Sequence, residues 1–397
     1  MIKIYNPIED RAVSFQSERD NTVNLYVCGV TPYDVGHLGH ALTYVFFDTV
    51  KRYLEFCGHE VKHIQNITDI DDGMIEKAKQ NDISIKKLTE KNHQIYLNEM
   101  DALNVLRPDM YPLSSSYISH MINNIDLLIK KDFAYIKNGY VFFDHTKLNN
   151  YGHLSRMNVN DIRNMDKTDT MPDEPDELKR DKLDFLLWQP EDFEEASYSS
   201  PWSQGRPGWH IECSTMVNEI IGEQVTIHGG GIDLMFPHHE CEIAQSESIT
   251  ETNPYCKNWM HVSSLNINGQ KMSKSLGNLI RVSDLLKKGY SSNNIRMYLL
   301  SHHYRAGLEF NEKAMNNIAL QSKLIEEAMN VKGGPVDKLL IQPFRKSFMD
   351  AMDDDFDTPV AIDVLCEIAN QLHIGKLEAK TAIPTLRELS LVLGIIV

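Results

Sequence analysis

The chain has 397 residues, 42% of them hydrophobic and 24% charged, and a formal net charge of −16. That length allows a large core divided over two or three domains, and the acidic excess argues against a protein that coats nucleic acid generally, while leaving room for a local basic groove. No apolar run reaches the roughly 18 residues of a membrane span, Met1 to Tyr5 reads as a strand rather than a signal peptide, and six cysteines without a CxxC pair point to a reducing, cytoplasmic setting.

Val23 to Cys28 is a short apolar run ending in Gly29, the pattern of a buried parallel strand. The segment from His40 to Phe56 then carries Val45, Phe46, Val50, Tyr53 and Leu54 at helical spacing. Val61 to Ile67 reads as the next strand and Met74 to Gln80 as the next helix, so the opening domain is expected to be doubly wound α/β. Asp166 to Asp184 is rich in Asp, Glu, Lys and Pro, and is expected to be a mobile surface segment within an insertion. Val225 to His228 reads as a strand leading into Gly229-Gly230-Gly231, and Trp259 to Ile267 as another. Amphipathic helices follow over Ala314 to Met329, Leu339 to Met352, Pro359 to Leu372 and Pro384 to Leu393.

Two short motifs carry chemistry. In His37-Leu38-Gly39-His40, a strand-to-helix turn aims backbone N–H groups and the helix dipole at a bound phosphate. Both imidazoles can stabilise its oxygens, and Gly39 lets a flat ring approach the backbone. Standing alone, such a turn is as well explained as a helix cap. Far downstream, Lys271-Met272-Ser273-Lys274-Ser275 offers two ammonium groups to the outer phosphates of ATP as pyrophosphate departs. In this order and separation the pair resembles the two signatures of the class I aminoacyl-tRNA synthetases.

A metal site is a further candidate. Cys28 ends the first strand, Cys213 lies in the GRPGWHIEC block, and His238 and Glu242 are spaced to share one face of a helix. Two thiolates, an imidazole and a carboxylate form a reasonable zinc shell. Spacing alone leaves His239, Glu240 and Cys241 as competing ligands.

Cys28-Gly29-Val30-Thr31, Asn66 to Asp72, Lys182 to Phe185, GRPGWHIEC, His228 to Asp233, FPHHECEIAQSE and KMSKSLGN resemble the cysteinyl-tRNA synthetase family over nearly the whole chain. That resemblance implies one Zn²⁺ on Cys28, Cys213, His238 and Glu242, binding the thiolate of L-cysteine directly. It implies substrate contacts from Thr31 and Trp209, with His228 orienting a zinc ligand or closing the pocket. Gly39, Gly230, Asp233 and Lys274 are implied for ATP, and His37, His40, Lys271 and Lys274 for catalysis on Mg²⁺-ATP. The implied fold is a split Rossmann-type (HUP-like) parallel sheet with an insertion and a C-terminal α-helical bundle. Its divisions are expected at 1–112 and 201–265 for the catalytic halves, 113–200 for the connective insertion, 266–310 for the KMSKS loop and stem-contact region, and 311–397 for the bundle.

Three departures bear on the acceptor. Most family members have arginine where Leu42 stands, and Thr31-Pro32-Tyr33-Asp34 with HLGHAxTY resembles the mycothiol-pathway cysteine ligases, as does Ser301-His302-His303-Tyr304-Arg305. The chain reads as a short form without the small anticodon-binding domain. Acidic residues also outnumber basic ones in the terminal helices. Glu242, His228, the EIAQSE run and Asp353 to Pro359 favour the tRNA enzyme. The expected partners are therefore L-cysteine, ATP and tRNA(Cys), with a small amine acceptor as the alternative and no membrane, in a monomer or weak dimer. A non-catalytic paralogue would be expected to lose a zinc ligand or a motif lysine, and none is lost.

Overall fold

A computed structural model describes residues 1–165, 174–272, 277–334 and 340–397. Its centre is a four-stranded, wholly parallel sheet. The strands are Thr22–Val30 (β1), Glu60–Ile67 (β2), Val225–Gly231 (β3) and Cys256–Val262 (β4), in the order β4-β3-β1-β2. β1 is buried along most of its length, which is why it reads as an unbroken apolar run. The chain leaves β1 toward β2 on one side and returns later to β3 on the other. The carboxyl ends of β1 and β3 thus flank a topological switch point, where ligands of open α/β sheets bind.

Helix α1 (Leu38–Phe56) follows β1 and buries Val45, Phe47, Val50 and Leu54 against the sheet. Between β2 and β3 the chain builds a five-stranded antiparallel sheet, with strands from Ala134–Lys137 to Gln204–Pro207. The Asp166 to Asp184 expectation falls partly outside the described residues. Its remainder is partly surface, with Asp176, Glu177, Arg180 and Lys182 exposed, but Glu174 and Lys179 form a largely buried 2.7 Å ion pair, and buried Asp184 accepts from Tyr135 Oη at 2.7 Å. Helices α2 (Trp209–Ile220) and α3 (Glu240–Thr250) flank β3 in sequence and are tied by Ser214 Oγ donating to Gln245 Oε1.

Two strand limits differ from the sequence pattern. β3 continues through the glycines, because Gly229, Gly230 and Gly231 pair with Met260, His261 and Val262. A Cβ on Gly229 would lie 2.0 Å from the Phe47 ring, so glycine there allows α1 to pack on the sheet. The expected strand from Trp259 to Ile267 is two: β4 ends at Val262, where Ser263 N–H turns to the Tyr304 carbonyl at 2.7 Å, and Leu265–Ile267 joins a separate small sheet.

The C-terminal region is helical: Glu312–Ala328, Gln342–Asp353, Thr358–His373 and Ala379–Val392. The last begins before Pro384, because Ala379 and Ala382 are buried and extend its apolar face. One hydrophobic cluster runs from the α1 face of the parallel sheet into these helices. At that junction Arg296 pairs with Asp48 of α1, both side chains 1% exposed, and donates to the Leu393 carbonyl at 2.5 Å. Removing Asp48 would strand the buried Arg296 charge at a cost of about 3–5 kcal/mol, whereas Asp48 keeps a second partner in Arg52 at 2.8 Å.

Candidate active site

A cavity of about 470 Å³ opens at the switch point. Cys28 and Thr31 line it at the end of β1, His37, Gly39 and His40 at the start of α1, and Asp233 just beyond β3. Gly230, Trp209 and His228 are not among its lining residues.

His37 is the N-cap of α1. Its Nδ1 accepts from Gly39 N–H at 3.1 Å, and His40 Nδ1 accepts from His37 N–H at 3.3 Å. The rings stack with centroids 3.9 Å apart. An accepting Nδ1 places the proton of a neutral imidazole on Nε2, so each ring is set as an Nε2–H donor. The turn is therefore both a cap and a pair of pre-oriented donors. Gly39 has a local reason too: a Cβ there would lie 2.9 Å from His37 Cε1. Lys271 sits in the short strand Gln270–Lys271, and Lys274 falls outside the described residues.

Behind the cavity, Cys28, Cys213, His238 and Glu242 bring one potential ligand atom each to within 4.8 Å of one another, all buried. Cys28 comes from β1, Cys213 from the buried face of α2, and His238 from the turn that leads into α3, where Glu242 occupies the first turn. His238 Nε2 is 3.1 Å from Glu242 Oε1. The two sulfurs are 3.9 Å apart, and sulfurs each about 2.3 Å from a shared tetrahedral ion would stand about 3.8 Å apart.

A second set, Cys28, His228, His239 and Glu242, meets the same distance limit. What stands behind each imidazole separates the two. A ligating histidine is normally braced through its other nitrogen. His238 Nδ1 lies 3.0 Å from His210 Nδ1, and Trp209 stacks on the His238 ring at 4.4 Å. His228 Nδ1 is buried without a partner. His239 Nδ1 does meet His261 Nε2 at 2.8 Å, but this set has only one thiol.

Burial pushes the Cys28 thiol and the Glu242 carboxyl well above their ordinary values. Its hydrogen bond from Cys28 draws Cys213 down to about 7. Burial also drives His228 and His239 well below the ordinary imidazole range. These neighbours therefore contribute no compensating positive charge. Ionised thiols and a carboxylate packed this deeply need a bound cation.

Sequence reasoning missed three neighbours. His210 is one helical turn from Cys213, so its spacing was a usable signal. Tyr255, whose hydroxyl donates to Glu242 Oε2 at 3.3 Å, and His261 carried none. The Asn66 to Asp72 run proves to be scaffolding: Asn66 accepts from Gly29 N–H at 2.8 Å, Asp69 from Ser115 N–H at 2.9 Å, and Asp71 caps the next helix through Met74 N–H at 2.7 Å. Leu42 is 5% exposed and packs into the main core.

The fold is similar to Mycobacterium tuberculosis methionyl-tRNA synthetase in complex with methionyl-adenylate, with a TM-score of 0.67 at 13% identity, covering 94% of this chain and 89% of that one. At such identity the likeness concerns the fold alone. The family model described as tRNA synthetases class I (C) catalytic domain matches residues 14–320, and a DALR domain model matches residues 347–397. A cysteine--tRNA ligase of Legionella pneumophila (strain Corby) is 40% identical over 398 residues, 99% of this chain and 85% of that relative. One of Haemophilus influenzae (strain PittGG) is 39% identical over 404 residues, 100% of this chain and 86% of the relative. The chain belongs to the class I (C) tRNA synthetase family.

Proposed function

We propose that this chain is an ATP-dependent ligase that activates L-cysteine as cysteinyl-adenylate and passes the cysteinyl group to the 3′ end of tRNA(Cys). The observation that carries the reading is the buried tetrad of Cys28, Cys213, His238 and Glu242 directly behind the nucleotide cavity. Its soft donor set suits Zn²⁺. Bound there, Zn²⁺ would supply a cation that favours the ionised thiol of a substrate. That preference rejects serine, which a pocket relying on shape could barely exclude.

Thr31 and Trp209 hold the amino acid, and His228 closes the base of its pocket. Asp233, with Gly230 beside it, receives the ribose of Mg²⁺-ATP. The cysteine carboxylate attacks the α-phosphorus, the bond to the bridging oxygen breaks, and pyrophosphate leaves. His37 and His40 stabilise the α-phosphate oxygens through Nε2–H. Lys271 and Lys274 neutralise the departing pyrophosphate. In this reading residues 1–112 and 201–265 form the catalytic halves and 113–200 the connective insertion. Residues 266–310 and 311–397 lie toward the acceptor. Among the described residues no helix is long and apolar enough to cross a membrane. In this reading the chain acts in the cytoplasm as a monomer or weak dimer.

The test is cysteine-dependent exchange of pyrophosphate into ATP, followed by charging of tRNA(Cys). Absence of exchange sinks the enzyme reading. Exchange without charging, together with cysteinylation of an amino sugar, replaces tRNA by a small amine acceptor.

A further inference from the structure

We propose that a second cavity, sharing a wall with the first, receives the terminal nucleotide of the tRNA acceptor. This rests on the reading of the chain as a cysteine–tRNA ligase. The second cavity has a volume of about 340 Å³, within the usual range for a small-molecule site. Ile232 and Ser263 line both cavities and form their common wall.

Its walls come from distant parts of the chain: Tyr5 from an antiparallel hairpin of Lys3–Asn6 and Arg11–Ser14, Arg156 from the insertion, His261 from the end of β4, and Tyr304 with Arg305 beyond it. The Arg305 guanidinium stands 4.2 Å above the Tyr5 ring and 5.9 Å from the Tyr304 ring. A guanidinium stacked among aromatic rings is the chemistry that holds a nucleobase. Arg156, paired to Asp10 at 2.5 Å with its side chain 48% exposed, can fork onto a phosphate. Two guanidiniums thus line this opening, each paired with a carboxylate, Arg156 with Asp10 and Arg305 with Asp355. A small amino sugar would leave both the stack and the phosphate-binding arginine unused.

The cavity is also mechanically fastened to the activation site. Arg156 holds φ at +57°, a strained conformation for a long side chain. The residues just before it are pinned to the start of α3, because Leu154 and Ser155 N–H donate to the Glu240 carboxylate at 3.1 and 3.2 Å. Asp355, itself buried, orients the opposite wall by accepting from Arg305 Nε at 2.7 Å and Tyr304 Oη at 2.8 Å. The end of the Ser301 to Arg305 segment thus supplies one wall of this cavity.

The experiment compares wild type with Arg156→Ala and Arg305→Gln in two assays: cysteine-dependent pyrophosphate exchange and transfer to transcribed tRNA(Cys). The expected result is a fall of about tenfold or more in the ratio of transfer to exchange, carried mainly by KM for tRNA. Arg156→Ala alters a half-exposed side chain, so it reports even where Arg305→Gln unfolds, which thermal melting detects. An unchanged ratio in Arg156→Ala overturns the proposal while leaving the cysteine–tRNA ligase reading intact. A wild type without exchange overturns both. A wild type that exchanges but loads only an amino sugar overturns the nucleotide as occupant.

Discussion

Two histidine-rich regions stand at the same end of the parallel sheet, yet they are held in opposite ways. At the thiol cluster His228, His238 and His239 have side chains 0%, 1% and 0% exposed, each wedged among sulfur, carboxylate and ring neighbours. At the start of α1, His37 and His40 are half-buried, stack on each other, and take their fixed orientation from backbone N–H groups. The buried region is specified by long-range packing and suits a small, deeply held ion and thiol. The open one is specified within four residues and suits a large anionic ligand that must enter and leave. Similar side chains thus acquire different chemistry from their burial and from the partners around them.

That contrast can be tested at both ends. The largest effect is expected from Cys28→Ser, which should abolish bound zinc and reduce cysteine-dependent exchange by about 10³-fold, since it breaks a buried, charge-coupled cluster. Unchanged metal content and cysteine KM would remove the metal assignment. His40→Ala should lower kcat for exchange by about 10²-fold while metal analysis finds zinc retained. Loss of zinc in this variant would mean that the two regions are not separate.

A buried histidine away from both regions measures what burial does by itself. His63 is 3% exposed with neither ring nitrogen partnered, and burial lowers its pKa to about 4. On acidification the unfolded chain takes up this proton first, so the contribution to stability is complete above about pH 6.5 and lost as pH falls toward 4. The loss is about 3 kcal/mol over that window. His63→Leu should flatten the dependence of denaturation midpoint on pH between 6.5 and 4, and an equally steep profile would contradict the assignment. The smallest effect is expected from Tyr255→Phe, which removes the hydroxyl on Glu242 Oε2 and should weaken zinc affinity about tenfold in a chelator titration.

Much of the fold was legible because it is written in local periodicity. The first strand and helix, the return to a parallel strand and the helical C-terminal region all follow from apolar spacing. The errors fell where a distant contact intervened. β3 runs through its glycines because they pair with Met260, His261 and Val262, with Gly229 leaving room for Phe47 of α1, and β4 stops where Ser263 turns to Tyr304. Two motifs that favoured different acceptors, Ser301 to Arg305 and Asp353 to Pro359, are bonded to each other through Asp355. Neither can therefore be weighed as an independent sign of what the chain charges.

By itself the sequence determined an α/β nucleotide-binding chain with a helical end and a capped HLGH turn, because those features depend on neighbours a few residues apart. Tertiary structure alone brought Cys28 to within 3.9 Å of Cys213, a residue 185 positions away. It also removed two of the consecutive candidates at the start of α3, Glu240 and Cys241, from the thiol cluster. Successive helical residues diverge by about 100°, so Glu240 turns to the insertion and Cys241 to Tyr151 Oη at 3.4 Å, while His238, His239 and Glu242 all reach the thiol cluster. Which face met β1 was a matter of packing between distant elements, and no local spacing encodes it.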